Sequence, residues 1–307
     1  MRRPHGSHRV VVAAAALAAC GWIGLAAGAP DPEIGALVAR AGERVAAYYQ
    51  RAQQLVCIER STVVPIQKDW SPDVGGFART VESELRVELD ASQDGEIPEA
   101  HVTREIRRIN GREPRPRDLK DRSGCTDPTP VSPEPLAFLL PSHREEYTFT
   151  SVRQGHEGNR AALVIDFGSA QHKSRAQLIE DERGHDDCFD WKGPIAVSGR
   201  FWIDASSYDV LRLDRHVSGP TDVSVPPPLQ RKYRFDPWLT LERDDVSLRY
   251  KPVAFTNPDE TVLLPESFES TTVFRTSLQS IRTTQSFSDY KRFLTQGSFR
   301  VIKRGGQ

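Results

Sequence analysis

The densest group of side chains able to do chemistry is His185, Asp186, Asp187, Cys188 and Asp190, an imidazole, three carboxylates and a thiol within six positions. Zinc accepts thiolate and imidazole, and harder divalent ions accept carboxylate oxygen. The spacing matches no ligand motif, and consecutive residues point in different directions. The expectation is therefore a polar loop beside a disulfide, with no metal and no cofactor. Nucleophilic chemistry has no better footing. The chain lacks a Gly-x-Ser-x-Gly elbow, a His-Glu-x-x-His pair, a Cys-x-x-Cys motif and a glycine-rich phosphate loop. His101, His143, His156, His172 and His216 are scattered singly. Two acids brought together only in space leave no linear trace, so a hydrolase stays as a third reading. The leading expectation is a non-enzyme with no catalytic residue.

The cysteines say more about compartment than about catalysis. Arg2, Arg3 and Arg9 precede a small and apolar run over residues 10–27, with no acid before Asp31, the profile of a bacterial export signal. Leu17-Ala18-Ala19-Cys20-Gly21 reads as a lipobox that would acylate Cys20. Gly21-Trp22-Ile23-Gly24-Leu25 continues the apolar run, which instead suits ordinary cleavage near Ala26-Ala27-Gly28-Ala29. Both routes stay open, giving a periplasmic protein or one anchored by lipid to a periplasm-facing leaflet. An uncleaved anchor is disfavoured, because the run barely reaches spanning length. Of the other cysteines, Cys125 and Cys188 lie in polar loop contexts and are the expected bridge. Cys57, in Leu55-Val56-Cys57-Ile58, is expected to be a buried, inert thiol.

Without the three leader arginines, the 41 basic residues of the chain fall to 38 against 42 acidic ones. Arginines are interleaved with glutamates and form no concentrated positive face, which argues against a nucleic-acid partner.

The elements that must carry these residues follow from periodicity. Leu37, Ala41, Val45, Tyr48, Ala52 and Leu55 recur at helical spacing and predict one amphipathic helix over residues 33–58. Thereafter the pattern is that of strands. Val81, Ser83, Leu85, Val87 and Leu89 alternate with Glu82, Glu84, Arg86 and Glu88, as in an antiparallel strand wet on one side. Residues 101–109 return from a loop at 91–98 and end in Asn110-Gly111, a tight-turn pair. Residues 112–135 and 169–194 are polar excursions, with a short apolar segment at 136–141 fit to cover an edge of the core. Further strands are expected at 146–153, 161–167, 199–204, 210–215, 230–235, 244–253, 266–276 and 282–287. Pro226-Pro227-Pro228 stiffens one connection. The fold class expected is α+β, a leading helix on a large curved antiparallel sheet.

The order of several short motifs resembles the lipoprotein-localisation (LolA/LolB-like) superfamily. They are the Ile109-Asn110-Gly111 turn, Phe201-Trp202-Ile203-Asp204 before Val210-Leu211-Arg212-Leu213, Leu264-Pro265-Glu266-Ser267-Phe268, and Phe287-Ser288-Asp289-Tyr290. The resemblance implies an export signal over 1–29, one half-open β-barrel domain over 30–294 with insertions at 112–135 and 169–194, and a tail over 295–307. It also implies a cavity that takes lipid or lipoprotein acyl chains without chemistry, in a carrier or a sensor. Residues suited to line it are Leu85, Val87, Phe201, Ile203, Leu211, Leu213, Leu248 and Phe268. The alternative is an envelope adaptor in which the same sheet is filled and the loops dock a protein partner.

Overall fold

The computed structural model describes residues 32–52, 54–67, 69–73, 78–89, 100–118, 134–169, 176–180, 188–256, 258–275 and 278–292. The leader with Cys20, the loop at 91–98, Cys125, His172, residues 185–187 and the tail at 295–307 lie outside them.

The leading helix is shorter than its periodicity suggests. Helix α1 is Pro32–Arg51, and Gln54, at φ 56°, turns the chain into strand β1, Leu55–Ile66. Val56, Ile58, Thr62, Val63 and Val64 are β-branched and suit a pleated surface better than a helix. Leu55 to Ile58 therefore belong to the sheet. The buried stripe of α1 is Ile34, Val38, Ala41, Val45 and Tyr49, continued by Ala52 just past its end, with Leu37 and Tyr48 half-buried on its flanks.

Twelve further strands follow: β2 (Arg79–Leu89), β3 (Ala100–Ile109), β4 (Tyr147–Glu157), β5 (Arg160–Ser169), β6 (Gln177–Glu180), β7 (Phe189–Lys192), β8 (Val197–Asp204), β9 (Val210–Val217), β10 (Thr221–Ser224), β11 (Trp238–Thr256), β12 (Asp259–Phe274) and β13 (Ser280–Arg292). The order is β3-β2-β1-β13-β12-β11-β9-β8-β5-β4, and β10, β6 and β7 branch from β11. Among the described residues its two ends do not pair with each other, so the sheet, antiparallel except between β10 and β6, is not closed. In β2 the expected alternation holds, with Val81, Ser83, Leu85 and Leu89 buried. A bulge opposite Glu82/Ser83 shifts β3 by one residue, and Ile109, not Arg108, is the buried residue at its end. Asn110 and Gly111 both take positive φ, 48° and 77°.

Two connections depart from the sequence reading. Residues 230–235, expected to form a strand, lie mostly in a helix, Pro227–Tyr233. Its prolines sit where a helix starts, and there the fixed φ and absent N–H cost nothing. The excursion at 169–194 contains the β6–β7 hairpin, whose buried Leu178 joins Val223, Leu239 and Leu241 in a second apolar cluster.

The main core lies between the sheet and α1 together with a 3-10 turn, Glu134–Leu139. Phe138 stacks on Phe167 at 4.5 Å and meets Phe201 edge-on at 5.6 Å. Gly42 lets the helix approach this turn closely, since a Cβ there would come within 2.4 Å of the Leu139 carbonyl oxygen. The turn joining β8 to β9 clamps the helix from the other side. Arg44 donates to Asp209 at 2.6 Å, and Arg40 donates to the Tyr208 hydroxyl at 2.8 Å.

Among the described residues the sheet parts between β12 and β13. The β12–β13 ladder runs from Thr272 opposite Ile281 to Ser267 opposite Ser286 and stops. Beyond that point β12 stays with β11, and β13 stays with β1. On its other side β11 pairs with β9 only from Val246 to Arg249. Residues 250–266 thus project as a two-stranded ribbon, whose Phe255, Val262 and Leu264 pack into the main core.

Candidate functional site

An apolar crevice of about 50 Å³ lies where β12 and β13 part. Tyr48 of α1 and Ala52 just after it form one wall, and Leu55, Cys57, Leu85, Val87 and Leu89 of β1 and β2 form the floor. Strand β11 contributes Tyr250, and the parted strands contribute Pro265, Phe287 and Tyr290. Burial pushes the Cys57 thiol up to about 12. The same desolvation raises the phenols of Tyr48, Tyr250 and Tyr290. These four titratable side chains are accordingly neutral at ordinary pH, and the crevice offers an uncharged surface. Tyr290 spends its hydroxyl on the Pro265 carbonyl at 2.7 Å.

The same sheet face turns polar one pair of residues further along. Glu59 is fully buried and holds Arg104 through two bonds, 2.5 Å from Nε and 2.9 Å from Nη2. Gln285 donates to Glu59 at 3.2 Å. The hydroxyl oxygens of Ser61 and Ser83 are buried without a hydrogen-bond partner among the described residues. Native interiors rarely leave such groups unmet.

Of the residues chosen from sequence as a lining, Leu85 and Val87 face the crevice. Phe201, Ile203, Leu213 and Leu248 lie in the filled core under α1, each at most 1% exposed. Leu211 is buried outside that cluster, and Phe268 is half-buried between the main core and the group around Cys57. Sequence reasoning missed Tyr48, Leu55, Cys57, Tyr250, Phe287 and Tyr290 as lining. Reading Leu55 and Cys57 into the helix hid them, and the parting of β12 from β13 has no signature in hydrophobic alternation. Phe287 and Tyr290 did stand out as a motif, though not as a lining.

A larger trough, about 680 Å³, lies across β9, β11 and β12. Its walls are mostly ionic, and many of its charges are already paired. Arg212 holds Asp214 at 2.7 Å, Ser247 donates to the same carboxylate at 2.7 Å, and Arg243 lies 3.8 Å from the ring of exposed Trp70. Asp244 beneath it is buried, and desolvation raises its carboxyl in spite of Arg215 and Thr272. This surface suits water and offers no seat for an apolar guest.

Among the described residues no group of three or more His, Cys, Asp or Glu gathers as for a metal ion. Cys188 is disulfide-bonded to a partner outside the described residues. The Asp190 carboxylate accepts from the Trp191 backbone N–H at 2.8 Å.

No family model matches the chain, and no curated protein matches it. Among solved structures, it is similar to a LolA superfamily protein from Nitrosomonas europaea. Identity is 9% and the TM-score 0.33, over 83% of this chain and 92% of that one. It is also similar to a structure of the Pseudomonas aeruginosa MucA/MucB complex, at 9% identity and a TM-score of 0.23, over 84% of this chain and 99% of that one. The unclosed antiparallel sheet with its leading helix rests on the strand order alone, and nothing about ligand or partner passes to this chain from either structure.

Proposed function

We propose that this chain is a non-enzymatic protein of the cell envelope that receives the hydrocarbon part of a lipid or acylated protein at the crevice between α1 and the parted strands. The observation that supports this reading is the coincidence of an uncharged, aromatic-lined crevice with the place where the β12–β13 ladder stops. An acyl chain moved there from water gains roughly 0.8 kcal/mol for each buried CH₂. At about 50 Å³ the crevice is smaller than the roughly 300–1,000 Å³ of a formed ligand pocket. Uptake therefore requires the ribbon at 250–266 to move away from β13. Export, by lipid anchor on Cys20 or by cleavage, is part of the proposal and rests on the leader.

A second reading has its own support. Phe201, Ile203, Leu213 and Leu248 fill the centre of the sheet, as an adaptor that binds only through its surface would require. Native mass spectrometry after gentle purification separates the two. Co-purifying lipid, or saturable uptake of a fluorescent fatty acid, is expected for the binder; an empty protein that refuses the probe supports the adaptor and ends the first reading.

A further inference from the structure

We infer, resting on the apolar-guest reading above, that the guest enters sideways through the seam between β12 and β13, and that it is an amphiphile whose anionic end stays at Lys251. At the parted strands two backbone carbonyls accept from side-chain donors. The Pro265 carbonyl accepts from the Tyr290 hydroxyl at 2.7 Å, and the Phe287 carbonyl accepts from Lys251 Nζ at 2.9 Å. Pro265, Phe287 and Tyr290 also line the crevice, so these two bonds stand between it and the outside. Parting them breaks two individual hydrogen bonds and no β12–β13 ladder, which has already stopped at Ser267 opposite Ser286.

The far end of the seam is held by a clasp. Arg292 reaches Glu260 at 2.5 Å, donates to the Arg51 carbonyl at 2.9 Å and covers the Phe255 ring at 4.6 Å. Glu260 is thereby neutralised. Lys251 is half-buried and makes no ion pair among the described residues. Its ammonium has three donors, of which the Phe287 carbonyl takes one. A carboxylate or phosphate end group uses the remaining donors through charge-assisted bonds, which are about twice as strong as neutral ones. An uncharged end group gains no such preference.

Two measurements on the full protein test this, with cis-parinaric acid and its methyl ester as probes. The wild-type protein is expected to bind the acid roughly tenfold more tightly than the ester. Lys251→Met keeps most of the side-chain stem and is expected to bind both alike. In the second, Glu260→Cys/Arg292→Cys is bridged by a methanethiosulfonate cross-linker that a reductant removes. The bridged protein should take up the acid at least tenfold more slowly and recover on reduction, with wild type carried through the same treatment. Uptake unaffected by the bridge overturns the lateral route. Equal acid-over-ester preference in wild type and Lys251→Met overturns the role of Lys251. Failure of wild type to bind either probe defeats the underlying reading as well.

Discussion

The Asp204 carboxylate carries much of the turn that grips α1. One oxygen accepts from the Ser206 backbone N–H at 2.9 Å, the Ser206 hydroxyl at 2.6 Å and the Ser207 N–H at 2.9 Å, and the other accepts from Arg160 Nε at 2.9 Å. Burial alone would push its pKa up. The hydrogen bonds from Ser206 and Ser207 and the Arg160 charge outweigh that, and the carboxyl lies well below the usual range. A depressed folded pKa contributes stability that is fully present above about pH 4 and lost as pH falls through the folded value. Asp204→Asn should therefore lower stability at pH 7 by about 1–3 kcal/mol. Urea titrations of both proteins at pH 7 and pH 3 should show the gap narrowing in acid. Cys57 gives a second prediction at this scale. With its thiol pushed up to about 12, it should resist iodoacetamide at pH 8 in the native protein and react promptly in urea.

Among the elements, β1 and α1 decide whether the crevice exists. Glu59 and Arg104 tie β1 to β3 across β2 on the face that continues the crevice. Glu59→Ala leaves a half-buried guanidinium without its partner and should cost about 3–5 kcal/mol, whereas Glu59→Leu/Arg104→Met should recover most of that loss. Thermal and urea unfolding of the single and double variants check it. Gly42→Ala should cost about 1–3 kcal/mol by driving α1 off the Leu139 carbonyl, and the same measurements apply. The strand pattern of β2, β5, β8 and β9 was legible because one face is wet and the other dry. The start of β1 was not. Leu55 fits the end of the helical stripe as well as the start of a strand, and only the left-handed turn at Gln54 separates the two. The helix at Pro227–Tyr233 was missed for the converse reason, its opening prolines being as usual in a loop as at a helix start.

At the scale of the whole molecule, a large curved antiparallel sheet with a leading helix and an apolar inner face could be read from the chain, whereas a sheet left open was what the family resemblance implied. Which apolar residues fill that face and which leave room could not be read. Phe201, Ile203, Leu213 and Leu248 have the same alternation as Leu85 and Val87, yet α1 and the 3-10 turn cover the first group while the parted strands leave the second at a crevice. Covering depends on where a helix comes to rest, and that is a tertiary fact. The difference between the two groups is also what a solution experiment can see. Methyl-labelled NMR during titration with palmitate follows both sets of side chains at once. The account predicts saturable shifts at Leu55, Leu85, Val87 and Leu89, with Ile203, Leu213 and Leu248 nearly still; movement confined to the latter three, or no saturable shift anywhere, contradicts it.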